Sequence, residues 1–307
     1  PLVFNFNPKG KVDLANANPA TNATTITLTG GELTIKAQSD HTATATPTSF
    51  GFAAGLSVSV ALTDATIAAQ TLAYVGERAT VNAGDLDIDA ISDETVNSVN
   101  TTVALGGGVS VNVSMATATI DSQTEAFVGA RAGHAPSPGG AVNITLHDTD
   151  TSAGIADIFA QGDSSATAKA DGGTGSFGIA ATVFMPTAEN SAAIFAYVGE
   201  GTTLTADDLT VKAATGPSGP MKAYADSVAG TISGIASINA LLATSRVTGQ
   251  VEAFVGAQEA NVSSNTASPV LTIAGTDAGD GDVDVIADAS MQADAEIHGV
   301  SGSFGLD

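Results

Sequence analysis

At 307 residues, with 32 acidic against 9 basic side chains and a net charge of −23, the chain presents a surface that repels nucleic-acid phosphates and anionic lipid heads. It has no cysteine, which removes disulfides, thiolate metal sites and thiol catalysis, and no apolar run long enough for a membrane helix. Apolar residues make up 43%, much of it Ala, but aromatics only 5%, so the core is expected to be thin and built from small and β-branched side chains in closely spaced layers.

In chain order, the opening PLVFNFNPKGK lacks the charged-then-apolar pattern of a signal and reads as a degenerate first copy of a repeated unit. The first clear element is ELTIKA at 32–37, with Leu33, Ile35 and Ala37 on one face. Period-two alternation of this kind marks a half-buried strand. The pattern returns as DLDIDA (85–90), VNITLH (142–147), DLTVKA (208–213) and DVDVIA (282–287). The expected internal column is Leu33, Leu86, Val142, Leu209 and Val283. Middle strands come after it at 94–105 and 221–229, with small or β-branched residues on both faces. Glycine-rich breaks come next, at 51–55, 106–108, 172–178, 230–234 and 302–305, and predict turns. After each break runs a long alternating stretch. The clearest is 108–121, with Val109, Val111, Val113 and Met115 on one side and a bend expected near Asp121–Thr124.

These stretches run into a signature: LAYVG (72–76), EAFVG (125–129), FAYVG (195–199) and EAFVG (252–256). Its aromatics, Tyr74, Phe127, Tyr197 and Phe254, are 53, 70 and 57 residues apart, the spacing of a repeat architecture. They are expected to stack as core anchors. Insertions fall after the signature, at 130–140 and 257–281, and read as loops on one face. The fold expected is all-β: a stacked β-solenoid of about five repeats of 53–70 residues, forming one elongated array over 1–307. The alternative is a series of antiparallel β modules, with each glycine break a hairpin. The chain stops at GSFGLD, half-way through a unit, so the last unit is expected to be truncated at 307 and to continue in a longer array or dock on another copy.

Repeated EAFVG or AYVG followed by an AGDLDIDA-type strand resembles large repetitive bacterial surface proteins of the filamentous-haemagglutinin-like and adhesin kind, over about 25–307. That resemblance implies a secreted, cell-surface β-shaft and transfers no catalytic residues.

For chemistry, TDAGDGDVD at 276–284 crowds Asp277, Asp280, Asp282 and Asp284 on a glycine-rich loop, the kind of oxygen-rich site calcium takes. Its spacing is not that of an EF-hand, and Asp282 and Asp284 already serve as outward strand residues. His41, His134, His147 and His298 are scattered, and no GxSxG elbow is present. GGTGSFG at 172–178 lacks the Lys-Ser/Thr of a phosphate loop. Asn22, Asn100, Asn112, Asn143 and Asn261 stand in N-x-S/T triplets. The function expected is a non-catalytic extracellular fibre or adhesin shaft that self-associates, head to tail or laterally, with no required cofactor and calcium as the one ion the loop would suit. Two alternatives stand beside it. One is an adhesin that binds a surface or glycan ligand through 130–140 and 257–281; the other is a glycan-active β-helix enzyme. Nucleic-acid partners and membrane insertion are not expected.

Overall fold

The computed structural model describes residues 2–6, 23–134, 136–147, 154–258, 268–275 and 281–305, and every regular element among them is a strand. Four sheets form, of nine, four, five and six strands. Every strand pairing among the described residues is parallel. This overturns the alternative of antiparallel modules, because no glycine break among those residues makes a hydrogen-bonded hairpin.

The nine-stranded sheet is built from the alternating segments. Its register aligns Leu33, Leu86, Ala156, Leu209 and Val283 in one column, and Ile35, Ile88, Ile158, Val211 and Val285 in the next. Ala37, Ala90, Ala160, Ala213 and Ala287 form a third. The expected column was therefore wrong at Val142. That residue lies in Val142–Leu146, which pairs with Ala79–Ala83 and Thr202–Ala206 in the five-stranded sheet. The true third member is IADIFA at 155–160, whose inward set, Ala156, Ile158 and Ala160, is less apolar than VNITLH. The signature strands make the four-stranded sheet, with Tyr74, Phe127, Tyr197 and Phe254 in register.

All four sheets send side chains into one core. Ile35, Ile88, Val81, Ile144, Leu204, Val128 and Ile120 are all 0–1% exposed there. Each such Leu, Ile or Val contributes about 1.5–3 kcal/mol by leaving water. The alanine columns between them let neighbouring sheets approach closely.

The expected stacked β-solenoid of about five repeats of 53–70 residues is overturned: the strands divide among four separate parallel sheets, and the long strands span more than one of the expected segments. The expected alternating and middle strands are continuous: Leu86–Gly106 runs 21 residues and Ile155–Ser176 runs 22. At about 3.3 Å per residue the latter has a contour of about 70 Å, whereas the six strands along the main path of its sheet, with five spacings of about 4.8 Å, rise only about 24 Å. The chain is thus broader across the strands than along the stacking direction. Past the core these strands continue as a wing, turn at the glycine break, and return in the six-stranded sheet as Val109–Ile120, Ile179–Phe184 and Ala236–Leu241. The return strand ends at Ile120 and the signature strand starts at Gln123, which places the bend at 121–122.

The wing's polarity also reverses the expectation. Val109 and Met115 face water, at 37% and 40% exposure, while Ser110, Asn112 and Ser114 are fully buried between the two sheets. Asn112 Nδ2 donates to Thr102 O at 3.1 Å and to Gly173 O at 3.2 Å; Asn100 Nδ2 donates to Met115 O at 2.7 Å. Thr182 bridges Thr174 and Thr231, at 2.7 and 3.0 Å. Side-chain amides and hydroxyls join the two layers, beside one small apolar cluster of Ala170, Phe184 and Ala229.

Successive units touch closely at the wing tip. A Cβ on Gly107 would lie 1.9 Å from the Ala54 carbonyl oxygen. Gly107→Val is expected to lose about 2–3 kcal/mol in urea denaturation, because backbone has to move. Gly230→Ala, where nothing lies within 4 Å of the added atom, should be neutral and serves as the control.

Candidate functional site

The outer face of the nine-stranded sheet carries the acidic half of the alternation, and parallel register places like charges side by side. Asp93 pairs in register with Asp40 on one side and Asp163 on the other, and Asp87 pairs with Asp157. One row is balanced: Lys36 Nζ meets Asp89 Oδ2 at 2.9 Å, and Lys212 Nζ sits 5.8 Å from the Phe159 ring centre. Like charges directly opposite destabilise a sheet. Burial, then the Asp89, Asp157 and Glu32 carboxylates, push Asp87 up to about 6. Burial and neighbouring aspartates raise Asp93, Asp157 and Asp171 as well. On the inner face, Glu94 is 2% exposed; burial pushes it up to about 7, against the hydrogen bond from Ser122.

These groups bind protons more tightly folded than unfolded. Their stabilising contribution is complete below the unfolded values, near pH 4, and is lost as pH rises through about 6 to 7. The protein should therefore melt higher at pH 5 than at pH 8. Glu94→Gln should stabilise by about 2 kcal/mol at pH 8, or about 3 °C, and by little at pH 5. Calorimetry at the two pH values checks this; equal shifts at both would contradict it.

Farther along the same face Asp226, Glu296 and His298 bring one ligand atom each to within 4.8 Å of one another. Tyr224 donates its hydroxyl to Glu296 Oε2 at 3.1 Å and is pushed up to about 12, by desolvation first and then by that bond. Asp226 Oδ1 and Asp171 Oδ1 are buried without a hydrogen-bond partner. One imidazole and two carboxylates suit a divalent cation of borderline softness. Lys169 already sits against this cluster, its Nζ 3.8 Å from Asp226 Oδ2. The sequence singles out His298 but not its partners: Glu296 lies two residues before it on the same strand, whereas Asp226 comes from the neighbouring strand and meets them only through register.

The expected acidic loop is not this cluster. Asp277 and Asp280 lie outside the described residues. Asp282 donates its backbone N–H to Asp208 Oδ1 at 3.0 Å, and Asp284 pairs in register with Thr210. Of the other histidines, His134 Nδ1 meets Ala132 O at 3.1 Å; among the described residues neither it nor His298 has a serine as hydrogen-bond partner. His41 is half-buried and His147 is exposed at a strand end. Asn100 and Asn112 are fully buried, so neither can accept a glycan in the folded chain, whereas Asn143 is exposed. Asn22 and Asn261 lie outside the described residues. A groove of about 420 Å³ at the bend between core and wing is lined by Gln70, Asp121, Gln123 and Ser191. Asp121 is its one carboxylate, where general acid–base cleavage of a glycoside needs two.

The loop at 130–140 is held down over much of its length. Ser137 N–H donates to Glu77 Oε1 at 2.6 Å, and Arg78 Nη2 donates to Pro138 O at 2.6 Å. Its start covers the aromatic ladder, where Tyr74, Phe127, Tyr197 and Phe254 stack with ring centres 4.7, 4.9 and 4.7 Å apart. The Tyr197 hydroxyl donates to Glu125 Oε2 at 2.9 Å and accepts from Ala132 N–H at 2.9 Å. Arg131 closes the node, with Nη2 2.6 Å from Glu125 Oε1. Burial, then the Glu125 carboxylate, hold the Tyr197 hydroxyl well above the usual phenol range. The hydrogen bond to Glu125 raises the Arg131 guanidinium. Much of 257–281, the second expected ligand loop, lies outside the described residues.

Comparison with family models, with curated proteins and with solved structures finds no match to this chain. No helix among the described residues is long and apolar enough to cross a membrane.

Proposed function

We propose that the chain is a non-catalytic structural protein of the bacterial cell exterior, of the fibre or adhesin-shaft kind, that works by stiffness and associates with its own copies. The observation that carries this reading is like residue over like residue, with four aromatic rings stacked at 4.7–4.9 Å and alanine, leucine and isoleucine columns beside them. A parallel ladder puts its hydrogen bonds along one axis, and interdigitated columns resist shear between units. The acidic outer face favours solubility at high concentration. Resemblance to repetitive surface proteins supports the same location.

Immunogold labelling of intact cells that carry the native protein tests this. Label on unpermeabilised cells, in ordered arrays, is the expected result. Label that appears only after permeabilisation would overturn the reading.

A further inference from the structure

The wing is inside out. On the strand Leu56–Ile67 the residues facing water are Leu56, Val58, Val60 and Leu62, at 64%, 56%, 52% and 65% exposure. Those facing the other sheet include Ser57 and Ser59, both at 3%. Register extends the pattern across the sheet: Val58 pairs with Val111, Val111 with Ala181, and Ala181 with Ile238, itself 58% exposed. A sheet with one wet face ordinarily shows the opposite alternation. The charge pattern agrees. Residues 41–63, 95–120, 172–188 and 227–245, which build the wing, contain no Asp, Glu, Lys or Arg, so the whole net charge of −23 in the chain lies off these four stretches.

We propose that the outer face of the six-stranded sheet is a self-association surface that takes a second copy of this chain, face to face. This deepens, and rests on, the proposed structural role. Three considerations select that occupant. Two bodies of net charge −23 repel, and the wings are where they can touch with no like charges brought together. A basic partner would be drawn to the acidic face, not to a charge-free one. The hydrocarbon of a bilayer is a poor occupant, because strands such as Leu56–Ile67 and Ala236–Leu241 edge the sheet among the described residues, and open edges are costly in lipid.

The dimensions fit a weak, self-complementary contact. Four strands at about 4.8 Å by seven residues at about 3.3 Å give a face of roughly 450 Å². That is about half the area per partner of a standard interface, near 800 Å². It is nonetheless a large contiguous patch for a monomer to leave in water. Two such faces carry the same spacing between rows and interdigitate at the usual sheet-to-sheet distance of about 10 Å. Because charge repulsion opposes pairing, added salt should strengthen it.

Sedimentation of the full chain tests the proposal. The wild type should pass from monomer to dimer between about 1 and 100 µM, more readily at high salt. Val58→Lys with Val60→Lys should weaken pairing at least about tenfold, whereas Thr203→Lys, outside the wing, should not. If the lysine variant fails to fold, as judged by its melting transition, Val58→Thr with Val60→Thr keeps the β-branched shape and should still weaken the dimer measurably. A wild type that stays monomeric to millimolar concentration overturns the proposal. So does a dimer unaffected by both variants. Binding of monomeric wild type to phosphatidylcholine vesicles, lost in the lysine variant, would assign the face to lipid and overturn it too. A monomer leaves the exterior location standing, and intracellular label leaves the sedimentation result standing, so the two failures are separable.

Discussion

Tyr197→Ala is expected to lose about 3–5 kcal/mol of stability, as truncation of a fully buried aromatic does. Tyr197 is 0% exposed and lies between two rings, 4.9 Å from Phe127 and 4.7 Å from Phe254. Truncation opens a cavity in the middle of the ladder, and backbone pairing on both sides prevents its collapse. It also removes the hydroxyl that links Glu125 to the Ala132 N–H. Tyr197→Phe separates the two contributions: the ring remains, two hydrogen bonds go, and the loss should be about 1–3 kcal/mol. Urea denaturation of the pair measures both. A loss below about 1 kcal/mol for the alanine variant would mean that the ladder packs without anchoring the sheet.

Arg131→Met is expected to cost about 3–5 kcal/mol. The Glu125 side chain is 0% exposed and takes three close contacts from Arg131, from Nε to both carboxylate oxygens at 3.1 Å and from Nη2 at 2.6 Å. Removing the guanidinium leaves a buried carboxylate with the Tyr197 hydroxyl as its remaining donor. Glu125→Gln should cost less, because the stranded Arg131 side chain is 29% exposed and keeps its bond to Gln123 Oε1 at 3.1 Å. The ordering of the two variants is the test, and equal losses would contradict the burial difference on which it rests. A double variant should recover part of the sum, since the two changes share one interaction.

Much of the site was legible as a pattern but not as chemistry. The signature announced that its four aromatics would stack, because equal spacing within each motif makes equal register the simplest pairing. What lay over them was not legible. Glu125 and Arg131 are six residues apart, across a turn, and their contact with Tyr197 is made with a later unit of the chain. The acid–imidazole cluster was hidden in part for the same reason: Glu296 and His298 stand two apart on one strand, but register with another strand sets Asp226 beside them. Val142 was misassigned on pattern alone. VNITLH alternates more strongly than IADIFA, but the stretch after Gly154 is the one that continues into the long wing strand, and that continuity decided the pairing.

From the letters alone came the all-β character, the two-residue alternation and the stacked aromatics, because each depends only on local spacing. Which side of an alternating strand points inward came from the tertiary structure. Alternation defines two faces without naming the inner one, and the usual choice, apolar inward, holds in the core at Leu86 and Ile88 but fails in the wing at Val109 and Val111. There Asn and Thr side chains bond to carbonyls and hydroxyls across the gap, although the Ser57, Ser98, Thr102 and Ser114 hydroxyls are buried without a hydrogen-bond partner, so small polar side chains line the inside and the apolar ones are left to the outside.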